Sequence, residues 1–229
     1  HTEKRRLPIL VDVSQSMSVK DQRKRSEDIG EAAVALGILP LSSTPEDVKR
    51  GAVALDGKQR EAIDSASRLD LATSLLSKSA GEMLGSIGAD LDVSYHAFGE
   101  TMHRLGDGDT DSLAALKADD PGTSIGGVLE ALARTERGAP LAGVVLLSDG
   151  LDMSSRRAEA VARDLGTRGI PVYTVPVGIA DPDDVSIRNV IMKDVAFTGD
   201  KVPVRVQLQS KGYEKRTAEL TVSLNGRGI

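Results

Sequence analysis

Hydrophobic positions in this chain follow two rhythms, and the switches between them lay out the fold. Residues 7–13 are apolar almost without interruption, as a parallel strand covered on both faces requires. A helical spacing follows at Leu69, Ala72, Leu75, Leu76, Met83 and Ile87, with Ser67 and Asp70 placed for a capping box at its start. Residues 91–98 read as a second strand and 102–105 as a short hairpin partner on the sheet edge. The spacing then predicts a helix over 124–135, a strand over 141–148, a helix over 155–169 ending in Gly169, and a strand over 170–178. Strands separated by helices imply an α/β fold: a doubly wound, mainly parallel sheet with helices on both faces.

Two segments depart from this alternation. About fifty residues lie between Ser18 and Ser67, and they carry helix signals of their own: the apolar stripe Ile29, Ala32, Ala33, Leu36 within residues 28–39, and Thr44-Pro45-Glu46-Asp47 as a capped helix start. This predicts a small helical insertion over about residues 19–66, beside the carboxyl edge of the sheet. Long ordered insertions serve either as ligand-contacting elements or as elaborations remote from the ligand, and both readings stay open here. At the other end, residues 185–229 change to period two, with Val202, Val204, Val206, Leu208 and then Ala218, Leu220, Val222, Leu224 alternating with polar residues. Turns are expected at 198–200 and 210–212, and the run 180–184, rich in Asp and Pro, reads as a linker. The expected organisation is an α/β domain over 1–180 and a β module over 185–229, too few strands to be stable alone.

The candidate chemistry sits where the first strand stops. Asp12-Val13-Ser14-Gln15-Ser16 places three oxygen side chains at alternate positions, so that they converge once the chain curls out of the strand. Oxygen-only donors suit a hard cation, and Mg²⁺ in particular takes few carboxylates and keeps waters in octahedral geometry. Thr123 lies in a Gly-rich loop before a predicted helix, and Asp149 follows the apolar strand end Val144-Val145-Leu146-Leu147-Ser148. This ordered set over residues 7–178 resembles the von Willebrand factor type A (VWA) domain, whose metal-ion-dependent adhesion site (MIDAS) uses a DxSxS motif, a Thr and an Asp.

The resemblance implies a VWA/Rossmann-like fold with Mg²⁺, Mn²⁺ or Ca²⁺ held directly by Ser14, Ser16 and Thr123, while Asp12 and Asp149 act through waters or by entering the inner sphere. It implies a protein partner that presents an Asp or Glu carboxylate to the metal, with no enzymatic role. The family needs only a short connection after DxSxS, so residues 19–66 are additional to it. The tail resembles the start of an immunoglobulin-like sandwich, a partial one expected either to lie against the α/β domain or to pair with a second copy through its open edge. VWA followed by such a module is similar to large bacterial membrane-anchored proteins, which would place this part outside the cytoplasm.

Composition narrows the alternatives. At 229 residues with 40% hydrophobic and 28% charged residues, the chain has an ordinary globular balance. A net charge of −5, with three Tyr, two Phe and no Trp, gives neither the basic surface nor the stacking platforms that nucleic acid would need. Cysteine is absent, which excludes disulfides and thiolate-bound zinc. The longest apolar-leaning stretch, 32–41, is half of the ~20 residues a membrane helix needs. The start at His1 without Met and the end at Ile229 read as a piece of a longer protein. A Mg²⁺-dependent enzyme acting on phosphate is the alternative function, but Ser14 stands where an Asp-x-Asp-x-Thr nucleophile motif would carry its second acid. Asp107, Asp109 and Asp111 are expected to form a solvated turn, since Ser112 and Ala118 replace the EF-hand Gly and Glu. His96 and His103 are expected on the sheet surface, and Lys4-Arg5-Arg6 and Arg23-Lys24-Arg25 on solvated faces.

Overall fold

The computed structural model describes residues 4–79, 81–87, 90–106, 110–135, 140–154, 157–179, 184–192, 202–212, 217–224 and 227–228. Of the expected linker at 180–184, residues 180–183 lie outside the described residues, as do the turn at 198–200 and the acids Asp107 and Asp109, while Asp184 is already part of a strand. The chain divides into two compact units, His1–Ile179 and Ala180–Ile229.

In chain order the first unit runs β1 (Arg5–Asp12), a 3-10 turn (Gln15–Ser18), α1 (Ser26–Ala35), α2 (Pro45–Ala54), α3 (Gly57–Ser65), α4 (Arg68–Ser74), a π turn (Leu75–Ser79), α5 (Gly81–Ile87), β2 (Leu91–Phe98), β3 (Met102–Gly106), α6 (Asp111–Ala114), α7 (Ile125–Thr135), β4 (Val144–Ser148), α8 (Ala158–Thr167) and β5 (Val172–Pro176). The sheet order is β3-β2-β1-β4-β5, with β3 antiparallel to β2 and the other pairs parallel. This is the expected doubly wound α/β arrangement. Strand order reverses between β1 and β4, so the crevice where such sheets bind ligands opens at the carboxyl ends of those two strands.

Alternate residues of each strand feed opposite layers. Ile9 and Val11 of β1, Tyr95 and Ala97 of β2 and Leu147 of β4 pack with α1, α3 and α4. Leu10, Phe98, Val144 and Leu146 point the other way into a layer closed by α7 and α8. His96 follows the second set and is buried, its Nε2 3.1 Å from the Ser94 hydroxyl, whereas His103 is exposed. The surface position expected for His96 fails because β2 has a neighbour on each side and a covered face on each side. The predicted helix over 69–87 is interrupted by the π turn. The Thr73 and Ser77 hydroxyls bond back to the carbonyls of Leu69 and Thr73, a habit that bends helices.

The segment 19–66 is part of the core. Ile29, Ala32, Ala33, Ile63 and Ala66 are buried in the same cluster as Ile9 and Val11. It also contains α3, a helix with no clear apolar stripe, started by an Asp56–Gln59 capping box. Arg23, expected on a solvated face, is buried instead: its guanidinium donates to the carbonyls of Asp21 and Ile63.

In the second unit β6 (Asp184–Ile191) pairs antiparallel with β7 (Arg205–Lys211), and β8 (Ser223–Leu224) pairs with β9 (Arg227–Gly228). The alternating run 218–224 is therefore strand only at its end, and β7 finds its partner upstream. Ile187 and Leu208 sit opposite each other across the β6–β7 pair, both exposed.

Ile63 has no exposed surface although it lies in the insertion. Ile63→Ala is expected to cost about 2–5 kcal/mol in chemical denaturation, as for other core truncations; a cost near zero would make the insertion a loose appendage.

Candidate metal centre

Strand register builds the first part of the site. Leu10 and Val11 of β1 lie beside Leu146 and Leu147 of β4, so the next residues on each strand, Asp12 and Ser148, meet at the crevice. The Ser148 hydroxyl donates to Asp12 Oδ2 at 2.6 Å, and the Ser14 amide donates to Oδ1 at 2.9 Å. Both oxygens of a carboxylate with no exposed surface are thus engaged by neutral donors. Burial pushes the Asp12 carboxyl above its ordinary value; the Ser148 and Ser14 hydrogen bonds pull it back, and the nearby charge of Asp149 adds to the rise.

Ser14 and Ser16 come together through the 3-10 turn that Ser14 precedes, not through strand alternation. Ser14 keeps extended geometry (φ −64°, ψ 158°), and its carbonyl accepts from the Met17 amide. The turn brings the two hydroxyl oxygens to 3.0 Å. Met17, fully buried, anchors it to the core.

The Thr123 loop is stitched to the same edge. Gln15 N donates to the Asp120 carbonyl at 2.8 Å, Asp120 N to that of Val13 at 3.2 Å, and Ser124 N to that of Gly99 at 2.9 Å. Gly99 is needed because the Asp120 side chain occupies the space that a Cβ there would take. Thr123 is buried, and its carbonyl accepts from Met153 N at 2.9 Å, which joins it to the loop after β4. Asp152 of that loop accepts from Ile125 N at 3.3 Å, at the start of α7.

Asp149 is present at this edge but is not a free acid. Its Oδ1 accepts from Leu151 N at 3.1 Å, and its Oδ2 receives Arg68 Nη1 at 2.7 Å. Arg68 also makes a two-pronged contact with Asp21, Nε to Oδ2 at 3.0 Å and Nη2 to Oδ1 at 2.8 Å. The Arg68 side chain is 12% exposed and both carboxylates 3%. Hydrogen bonding to Asp21 first, and to Asp149, holds the guanidinium more firmly protonated than usual. A sequence reading that balances a dication against Asp12 and Asp149 misses this cation. Its partners are distant in sequence, so no local pattern marks Arg68 as part of this edge.

The donor set fits a hard divalent cation. In an octahedron with metal–oxygen bonds of about 2.0–2.1 Å, neighbouring oxygens are separated by about 2.9 Å. The Ser14 and Ser16 hydroxyls are hydrogen-bonded to each other at 3.0 Å, a separation that also suits that edge. Among the described residues no group of three His, Cys, Asp or Glu is arranged to hold a metal.

No protein-family model and no curated protein sequence matches the chain. Among solved structures, proximal thread matrix protein 1 from the mussel byssus is similar over 77% of this chain and 38% of its own, at 12% identity and a TM-score of 0.42. The manganese-loaded Plasmodium vivax TRAP protein is similar over 77% of this chain and 58% of its own, at 15% identity and a TM-score of 0.40. The ArnB paralog VWA2 from Sulfolobus acidocaldarius is similar over 76% of this chain and 34% of its own, at 14% identity and a TM-score of 0.32. This chain therefore spans less than two thirds of each of those structures.

The raised Asp12 carboxyl has a consequence for stability. An acid whose folded pKa is raised costs stability above that pKa and returns it as pH falls through it. Asp12→Asn, which removes the charge while the Ser148 hydroxyl can turn to accept, is expected to melt at or above the wild-type temperature in EDTA. Scanning calorimetry that finds the variant clearly less stable at neutral pH would mean the charge is already compensated within the protein.

Proposed function

We propose that this chain is a metal-dependent protein-interaction module that captures a partner's Asp or Glu carboxylate. The observation that carries the reading is the pair of hydroxyls on Ser14 and Ser16, set at the spacing of octahedral ligands beside the buried Asp12 carboxylate. Ser14, Ser16 and Thr123 would hold Mg²⁺, Mn²⁺ or Ca²⁺ directly, with Asp12 and Asp149 engaged through water. When bound, the ion supplies an electrophilic position for an incoming anion.

The protein's own groups do the rest. The Ser14 amide and Ser148 hydroxyl fix Asp12 so that its charge is aimed at one place. Hydroxyl donors add no charge, so the site's appetite for an anion is preserved. The segments that form it carry exposed apolar side chains: Val19 at 42%, Leu151 at 56% and Met153 at 78%. Each is carried by a residue whose backbone is tied to the site, through Arg68 N to the Val19 carbonyl, Leu151 N to Asp149, and Met153 N to the Thr123 carbonyl. Apolar side chains around a charged centre favour a protein surface as the ligand over a small hydrophilic anion.

Titration calorimetry with MgCl₂ and MnCl₂ should show one site, lost in Asp12→Ala and in the Ser14→Ala/Ser16→Ala double variant and weakened in Thr123→Ala. Equal binding by wild type and the double variant would overturn the reading.

We read the β tail as the opening of an immunoglobulin-like module that pairs with a second copy through its open edge, with the exposed Ile187 and Leu208 packing in the paired sheets. Sedimentation should find a concentration-dependent dimer that Ile187→Lys/Leu208→Lys disperses; a wild-type monomer at all concentrations contradicts it.

A further inference from the structure

The Arg68 cluster joins the insertion to the metal site and changes the charge there. Asp21 and Asp149 both face Arg68, and Asp21 also faces Arg23, whose Nη2 lies 3.6 Å from Asp21 Oδ2. Arg68 offsets part of the negative charge of Asp21 and Asp149, so a dication at this edge leaves more positive charge for an incoming carboxylate to neutralise than it would without Arg68.

The structure holds Arg68 in place with care. Gly178 has φ +111°, and a Cβ there would stand 2.9 Å from Arg68 Nε. The amide of Arg68 is fixed to the Val19 carbonyl, and its guanidinium is held two-pronged by Asp21 of the insertion. A buried ion pair of this kind is weak support for stability, because desolvation offsets much of the attraction. Its remaining prong occupies an oxygen of the acid that a metal would use.

We propose that Arg68 is a built-in cation that shares Asp149 with the metal, so that the site holds a divalent ion firmly only when an anionic ligand arrives with it. This rests on the metal-site reading above. Metal and carboxylate then bind cooperatively, and the coupling is reciprocal: each raises the affinity for the other by the same factor. Asp21 sets the strength of the effect by drawing Arg68 charge away from Asp149. Arg68 is in this sense a positioning residue for Asp149, and residues 19–66 supply the group that tunes it.

The test is Mg²⁺ titration of the full chain, with and without acetate as the probe anion, for wild type, Arg68→Gln, Arg68→Lys and Asp21→Asn. Melting in EDTA followed by circular dichroism checks that each variant is folded. Arg68→Gln should bind Mg²⁺ at least about tenfold more tightly without acetate, since a nearby positive charge is gone, and acetate should then add little. Arg68→Lys should stay close to wild type. Asp21→Asn should move the opposite way, with weaker Mg²⁺ binding in the absence of acetate and a larger gain when acetate is added. Structural damage would instead weaken both Arg68→Gln and Asp21→Asn without enlarging the acetate gain, and that result overturns the proposal. Unchanged affinity in Arg68→Gln, with wild type binding normally, overturns it while leaving the metal site standing. If Arg68→Gln does not fold, Asp21→Asn decides alone: unchanged or tighter Mg²⁺ binding, or no larger acetate gain, overturns the proposal. Absence of Mg²⁺ binding in every protein removes both readings together.

Discussion

A carboxylate without exposed surface at the end of the central strand is the constraint around which the rest of this edge is arranged. Asp12 has no surface open to bulk solvent, so protein groups satisfy its oxygens, and those groups come from different parts of the chain: the amide of Ser14 two residues on, and the hydroxyl of Ser148 at the end of the adjacent strand. Satisfying Asp12 therefore fixes the turn that brings Ser14 and Ser16 together and fixes how β4 ends. The loop carrying Thr123 is then positioned by backbone bonds to Val13, Gln15 and Gly99. Local hydrogen bonding at one buried acid and the topology of the sheet reinforce each other.

The insertion changes what this edge can do. Its apolar side chains enlarge one face of the core, and through Asp21 it delivers a guanidinium partner to the crevice. The electrostatics of the site are consequently shared between the two acids at the strand ends and a salt-bridge network formed by Asp21 of the insertion with Arg68 just beyond it. A segment that would otherwise be decoration is packed into the core and wired to Asp149.

Much of this was legible in sequence, and the misses have physical causes. The strand at Leu91–Phe98, its antiparallel neighbour and the capping box at Ser67 and Asp70 follow from strong local signals: β-branched and aromatic alternation, and reciprocal side-chain caps. The order of Asp12, Ser14, Ser16, Thr123 and Asp149 pointed to one sheet edge, because strand ends in a doubly wound sheet converge. Arg68 and Arg23 were not legible in the same way. Their positions depend on long-range partners, Asp21 and Asp149 for one and the Ile63 carbonyl for the other, and no local periodicity encodes such contacts. His96 failed for a related reason: alternation assigns a side of β2, while burial depends on what covers that side. The tail's run at 218–224 shows the limit of period two, since alternation gives no partner, and a strand without one is not a strand.

Three helices in succession, α2, α3 and α4, each begin with a reciprocal capping box: Thr44 with Asp47, Asp56 with Gln59, and Ser67 with Asp70. Those bonds span only three residues, so they form without waiting for the rest of the molecule. The parallel pairing of β1 with β2 must by contrast join residues as far apart as Arg5 and Leu91. The conformational entropy lost in closing that loop grows with the number of freely jointed residues in it, and helices that have already condensed shorten the flexible path. The capped starts thus act on the search for the native topology by biasing these short segments towards helix, and any such bias shortens the flexible path that the β1–β2 pairing has to close.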